Sequence, residues 1–491
     1  MGAPRDGASI VLVIEGSPAR LLWAKRGDTA PSLRGFHVAP GGMFDPIDER
    51  LAHDGGADTL ARIAGLRELF EETGILLAHG ADETDDDTLG EIRDALLDGE
   101  PDAAALFSEA GLRFRTNALV PIGRWVTPGF ARKRYDTRFF AMLIDEVIEP
   151  SLDLRELDEA EWVAAPDAHA LFSRAQVLMT PPMTALIRGL SQRGQLDAAE
   201  LRTMRGGQGD ESQRWEVAPH IQMLPFRTPT LPPATHTNSY LIGSGQALLV
   251  EPATPFPDER ERMLAWVDEA ADDGIRPIAI FITHHHIDHV GAANHLSELL
   301  EIPLWAHAMT AQRLEGKVRF DRLIEHDERI VLSGPTDVVV RAIHTPGHAP
   351  GHLCLLEEKS GALVAGDMVA TEGSIIVEPK DGDMALYLDS LRAMKRLGAS
   401  VLLPAHGMPV RDVDGLLDHF IAHRLEREQK VLRALEAHAG PAQIMDLVPV
   451  AYAEAPKLVW PLAAQALAAH LIKLEQDGVA RETESGWVSL G

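Results

Sequence analysis

The sequence predicts a multidomain α/β protein, and three observations carry that expectation. The chain is 491 residues long, room for roughly three domains at about 150 residues each. Two long stretches alternate short apolar strands with amphipathic helices; between them, at 205–212, lies the glycine-rich, polar string RGGQGDES, which reads as a linker. From about 421 the texture turns helical and closes on two short strands. The expected domains are 1–205, 215–420 and 421–491.

In the first section the apolar runs at 10–14 (IVLVI) and 19–23 (ARLLW) read as strands around a Gly-Ser-Pro turn. Residues 60–72 carry the helical period, with Ile63, Leu66 and Phe70 on one face. The acidic string ADETDDDT at 81–88 reads as a solvated insertion leading into a helical run to about 111. Strands resume at 116–125 and 137–148. Beyond the linker, strand, loop and helix units follow one another to about 420. The last section predicts helices at 421–437, 442–447 and 462–476, then two short strands around a polar turn at 478–490. Three helices and a β-hairpin of this size suggest a small winged-helix-like module.

Composition narrows the function. Lys and Arg number 46 against 74 Asp and Glu, a formal net charge of −28. Such a chain is a poor candidate for coating nucleic acid or an anionic membrane surface by bulk charge. The single cysteine, Cys354, excludes a disulfide framework and a cysteine-based zinc knuckle. The 10–14 run is strand-sized rather than a secretory apolar core, and no stretch approaches a membrane span. A cytoplasmic protein with no membrane partner is expected.

The string RELFEETGI at 67–75 places Glu68, Glu71 and Glu72 at i, i+3 and i+4, on one helix face. Three carboxylates so close repel one another unless a cation joins them, and hard oxygen ligands suit Mg²⁺ or Mn²⁺ bridging to substrate phosphates. Leu66, Leu69 and Phe70 can anchor the helix, and Gly74 fits its C-terminal cap. The string resembles the Nudix box, and Pro40-Gly41-Gly42 matches that motif's glycine start. Asp48 stands where the family has Glu, and the loop from Gly42 to Arg67 is longer than usual. The resemblance, over about 7–190, implies a Nudix α/β/α fold and hydrolysis of a nucleoside diphosphate linked to another group. It implies Glu68, Glu71 and Glu72 as metal ligands and catalytic work by Arg67, Glu68 and Glu71, with Gly42 at the substrate. Leu21-Leu22, Arg26, Arg34, Gly41-Gly42 and the strings WVTP (125–128) and RYDTRFF (134–140) resemble the coenzyme A diphosphatase branch, implying coenzyme A-type substrates.

A second constellation begins at 284–289, HHHIDH, directly after the strand-like run 277–283. His284, His286, Asp288 and His289 are joined at later strand ends by His348, Asp367 and His406. Imidazoles and carboxylates at such spacings can surround two neighbouring cations. His285 and His344 read as structural. Over about 217–415 the chain resembles the metallo-β-lactamase superfamily, which implies an αββα sandwich and two Zn²⁺. By that resemblance His284, His286 and His348 would bind one zinc, and Asp288, His289 and His406 the other. Asp367 would bridge them, Asp288 would also orient the nucleophile, and His352 would contact substrate or pack behind the ligands. Glu251 replaces the usual strand-end Asp.

The strings TNSY (237–240), GDMALYLDSL (382–391) and HRLEREQ (423–429), with the helical tail, resemble the β-lactamase-like protein 2 group. That implies endonucleolytic cleavage of single-stranded RNA. The alternative is a glyoxalase II-like thioesterase acting beside a coenzyme A diphosphatase. A non-enzyme alternative is a metabolite-sensing winged-helix regulator. Residues 421–491 hold seven Lys and Arg against nine acids, net −2, which favours packing or homodimerisation over DNA recognition.

Overall fold

The computed structural model describes residues 3–16, 18–27, 30, 33–53, 58–127, 134–193 and 215–491. The 205–212 string and Pro128 lie outside the described residues. The chain divides into two compact units, Met1–Glu216 and Val217–Gly491.

In the first unit the strand Arg5–Ile14 lies at the centre of a mixed sheet. It pairs parallel with Tyr135–Ile144 and antiparallel with Arg20–Arg26 and Gly41–Met43. Its IVLVI run has no polar face because both faces are covered. Ala8, Ile10 and Leu12 meet Ile63, Leu66 and Phe70 of the helix Thr59–Thr73. Val11 and Val13 meet Ala168, Phe172, Met183 and Ile187 of the helices Ala165–Phe172 and Pro181–Arg193. The result is a sheet between two helical layers.

The acidic string is solvated, with Asp82, Glu83 and Asp85 to Asp87 exposed, and it also starts a helix. Asp85 accepts a hydrogen bond from the Thr88 N–H at 2.9 Å and caps the helix Asp86–Leu97. Asp86 and Asp87 occupy its first turn, where the helix dipole favours negative charge. The expected single helical run is two helices, Asp86–Leu97 and Ala103–Glu109, because Gly99 turns left-handed and Pro101 follows. Residues Thr116–Ala118, expected as strand, form a 3₁₀ turn, and the strand is Val120–Val126.

The second unit holds two sheets. One has seven strands, in the order Trp215–Ala218, Ile221–Arg227, His236–Gly243, Gln246–Val250, Arg276–Phe281, Leu304–Ala306 and Arg322–Leu323. The other has five: Arg329–Leu332, Val338–His344, Leu353–Glu357, Ala362–Gly366 and Val401–Pro404. Tyr240 ties one to the other by donating its hydroxyl to the Pro404 carbonyl at 2.7 Å. Helices Pro257–Asp272 and Ala293–Leu300 pack on the first sheet, and Met384–Arg396 packs on the second.

The tail comprises the helices Val413–Ala437, Ile444–Ala451 and Trp460–Gln476 and the hairpin Ala480–Thr483 with Gly486–Ser489. Val431, Leu435, Leu447, Leu467, Leu471 and Trp487 form its core. The first helix starts well before 421, because Asp412 accepts from the Gly415 N–H at 3.0 Å and caps it there. It runs without a break from the αββα layers into the tail.

Ile10 is fully buried between the sheet and the carboxylate-bearing helix. Ile10→Ala is expected to destabilise the first unit by about 2–5 kcal/mol, read as a lower denaturant midpoint at unchanged slope. An unchanged midpoint contradicts this packing.

Candidate metal centres

The first centre lies on the helix Thr59–Thr73, which ends where Gly74 (φ +70°) donates its N–H back to the Phe70 carbonyl at 2.8 Å. Arg67 is 4% exposed and holds the acidic groups together. Its Nε donates to Asp48 Oδ1 at 2.8 Å, its Nη1 to Glu68 Oε1 and Glu71 Oε2 at 3.0 Å each, and its Nη2 to the Met43 carbonyl at 2.9 Å. Glu72 turns aside, accepting the Gly41 N–H at 2.9 Å with Arg26 Nη1 at 3.8 Å. Gly42 lies against Glu68, and a Cβ there would overlap the carboxylate.

The short Asp48 fits because the helix Pro46–Leu51 carries it to Arg67, and it also accepts the Asp45 N–H at 2.8 Å. One buried guanidinium thus serves three carboxylates. Burial pushes Glu68 up to about 7, and burial with the neighbouring Glu68 lifts Glu72 well above the usual carboxylate range. The centre is short of positive charge, as a cation site is. Among the described residues, groups of three or more His, Cys, Asp or Glu with ligand atoms all within 4.8 Å of one another occur in the second unit. The three glutamates share a face, but Arg67 holds two and Gly41 the third.

The second centre sits where strands of both sheets end. His284, His286 and His289 follow Arg276–Phe281, and His348 follows Val338–His344. Asp367 follows Ala362–Gly366, and His406 follows Val401–Pro404. Three imidazole nitrogens converge. His284 Nε2 lies 3.0 Å from His286 Nδ1, and His348 Nε2 lies 3.0 Å from His286 Nδ1 and 3.3 Å from His284 Nε2. Nitrogens bound tetrahedrally to one Zn²⁺ would stand about 3.3 Å apart. Burial holds His284 far below its ordinary pKa and His286 down to about 2, so both rings present lone pairs.

Asp288, His289 and His406 form a neighbouring group. His289 Nε2 lies 3.7 Å from Asp288 Oδ1, and His406 Nε2 lies 3.6 Å from Asp288 Oδ2. Asp367 stands between the groups. Its Oδ2 is 3.5 Å from His348 Nε2 and 3.6 Å from His289 Nε2, and its Oδ1 is 3.3 Å from His406 Nε2. His289 Nε2 and Asp367 Oδ1 are buried without a hydrogen bond. Orphaned donor atoms aimed at one another are what a metal-ligand set looks like before the ion is counted.

Behind the candidate ligands, polar groups face three of the rings. Nδ1 of His348 meets the Ile376 carbonyl at 2.8 Å, Nδ1 of His406 meets the His236 carbonyl at 2.8 Å, and Nδ1 of His289 faces Glu251 Oε1 at 3.2 Å. Glu251, the departure noted in the sequence, therefore supports His289; it is fully buried, at φ +60°. His352 is not at the surface of the site. It is fully buried, its Nδ1 engaged by Thr345 at 2.8 Å and its Nε2 accepting the Asp367 N–H at 3.1 Å. With both nitrogens used it supports Asp367 and has none to offer a substrate. His344 bonds the Pro350 carbonyl and stacks on His307, away from both groups. His285 pairs with Asp381 at 3.3 Å, a residue the sequence did not single out because only folding brings the two together.

Family models match along the chain: the NUDT19 Nudix domain over residues 42–188, the metallo-beta-lactamase superfamily over 232–406, and the beta-lactamase associated winged helix domain over 444–487. The "Beta-lactamase-like protein 2 homolog" of Caenorhabditis elegans is 32% identical over 248 residues, spanning 50% of this chain and 80% of that protein. The chain belongs to the metallo-beta-lactamase superfamily. This superfamily member is similar over 204 residues, at 32% identity, to the "Atrochrysone carboxyl ACP thioesterase" of Aspergillus chevalieri, covering 40% of this chain and 60% of that one. A beta-lactamase domain protein from Burkholderia ambifaria shares the fold, with a TM-score of 0.50 at 23% identity over 56% of this chain and 93% of that one. The protein is a hydrolytic enzyme with a Nudix domain, a metallo-β-lactamase domain and a C-terminal winged-helix domain. Among the described residues no helix is long and apolar enough to cross a membrane.

Glu251→Gln removes the charge facing His289 Nδ1. It is expected to weaken zinc binding about 10- to 100-fold, measured by competition with a chelator. Wild-type affinity would show that Glu251 does not orient the ring.

Proposed function

We propose a bifunctional hydrolase of three modules, 1–205, 215–420 and 421–491, with a dinuclear zinc centre in the second and a Mg²⁺- or Mn²⁺-dependent diphosphatase in the first. The observation that supports it best is Asp367 standing between two histidine groups, within 3.3–3.6 Å of a nitrogen in each. His284, His286 and His348 would hold one Zn²⁺, Asp288, His289 and His406 the other, and Asp367 both. Bound zinc supplies Lewis acidity and water activated near neutral pH. The chain's own part is orientation. The rings of His348, His406 and His289 are aimed by their Nδ1 partners, and Asp288 would orient the attacking water toward a carbonyl or phosphorus centre. In the first module Glu68, Glu71 and Glu72 would hold Mg²⁺ or Mn²⁺ against a nucleoside diphosphate or coenzyme A-type substrate. Arg67 sets the carboxylates and Gly42 leaves Glu68 its place.

For the zinc centre, thioester hydrolysis draws support from the relative named as a thioesterase and from a net charge of −28, which suits a small substrate better than a polyanion. The second reading, cleavage of single-stranded RNA, follows from the resemblance to the β-lactamase-like protein 2 group. Two ions can hold one phosphodiester locally despite an acidic surface.

A panel of coenzyme A and carrier-protein thioesters, single-stranded RNA, coenzyme A, ADP-ribose and dinucleotides, run with Zn²⁺ and with Mg²⁺, separates these. His286→Ala is expected to lower thiol release by about 10³-fold or more while sparing diphosphate cleavage. Glu71→Gln is expected to do the reverse. RNA cleavage lost in His286→Ala, with no thiol released by wild type, selects the nuclease instead. Loss of both activities in each variant contradicts two independent centres.

A further inference from the structure

The string HRLEREQ at 423–429 lies in the helix Val413–Ala437 and sends its charged residues to different neighbours. Arg427 stays within the tail. It donates to the Ala451 carbonyl, stands 4.1 Å over the Tyr452 ring and pairs with Glu454. Glu428, buried, accepts from Lys473 Nζ at 3.1 Å and faces His470 Nδ1 at 3.7 Å.

Arg424 turns the other way. It is 6% exposed, donates a short hydrogen bond from Nη2 to the Ile375 carbonyl, and lies 5.5 Å from the Tyr387 ring centroid. The next carbonyl along, Ile376, is the one that meets Nδ1 of His348 at 2.8 Å. Tyr387 donates its hydroxyl to the Met368 carbonyl, beside Asp367, at 2.8 Å. It also abuts Gly347, beside His348, so closely that a Cβ on Gly347 would overlap the Tyr387 backbone. One guanidinium therefore touches both the segment that aims His348 and the ring wedged between the His348 and Asp367 loops. The last helix adds a second strut. Gln476 donates to Asp383 Oδ2 at 3.3 Å, and the Asp383 N–H bonds the Gly347 carbonyl at 2.8 Å. Ala469 of the same helix lies in one core with Met368, Val369 and Tyr387.

The cost of burying this guanidinium is offset by directed contacts, here a charge-assisted hydrogen bond and an aromatic face. Those contacts fix a peptide and a ring, and both bear on ligand loops. We infer that Arg424 is a positioning residue of the zinc centre and that the winged-helix module is a brace that holds His348 at its ligand angle. The inference rests on the reading of His348 as a zinc ligand. It gives the tail a task that needs no nucleic acid.

The test uses the full chain and reads metal binding. Zinc affinity by chelator competition and the visible spectrum of the Co²⁺-loaded protein are compared for wild type, Arg424→Met, Arg424→Lys, Arg427→Met and His348→Ala. Arg424→Met is expected to weaken zinc binding about 10- to 100-fold and to shift the cobalt bands. Arg424→Lys, which keeps the charge and one donor, recovers part of the affinity. Arg427→Met removes contacts to Tyr452 and Glu454 that do not reach 375–376, leaves the Arg424 and Gln476 struts in place, and binds zinc as wild type does. Wild-type affinity in Arg424→Met, or an equal loss in Arg427→Met, overturns the brace. If Arg424→Met does not fold, wild-type affinity and spectrum in Arg424→Lys overturn it. Undiminished zinc content in His348→Ala refutes the ligand reading itself, a different failure.

Discussion

One buried carboxylate sets the terms for the second unit. Asp367 is 7% exposed and lies between two histidine groups. Burial alone would lift its pKa, yet His406 and His289 beside it hold it well below the usual carboxylate value. Such a group is stable inside a protein only if positive charge surrounds it. The fold meets that need by ending strands of both sheets at one place, so that loops from each deliver imidazoles. Gly366, at φ +49°, makes the approach possible: a Cβ there would overlap the His352 ring that takes the Asp367 N–H. The ligand loops are thus locked from behind before any ion is considered.

The first unit solves a related problem with different means. Its acidic helix is anchored by Leu66, Leu69 and Phe70 in a core with the sheet. Arg67 is the internal counter-ion for Asp48, Glu68 and Glu71. One charge against three leaves a deficit that a divalent ion can fill. Part of the −28 is therefore concentrated where the proposed cations would sit, in Glu68, Glu71, Glu72, Asp288 and Asp367. Another part, at Asp85 to Asp87, caps and charges a helix start.

What the sequence made legible was local and periodic. The IVLVI strand, the helix bearing RELFEET, the strand-end histidines and the final hairpin follow from period, capping and apolar runs. The break at Pro101 was in the sequence too, but the helical texture on both sides masked it. What stayed hidden depends on contacts far apart in the chain. Nothing near His348 announces that the Ile376 carbonyl fixes its ring, and nothing near His352 says that both its nitrogens are spent inside. Arg424 looks like a surface charge on an amphipathic helix until Ile375 and Tyr387 fold onto it. The early start of its helix came from one cap, Asp412, outweighing the texture change near 421.

The central claim is that Asp367 joins two metal positions. Anomalous diffraction at the zinc edge, on crystals of the zinc-loaded protein, tests it most directly. The account predicts two peaks about 3.5–4 Å apart, one amid His284, His286 and His348, one amid Asp288, His289 and His406, with Asp367 touching both. A single peak, or two peaks with Asp367 turned away from either, would contradict it.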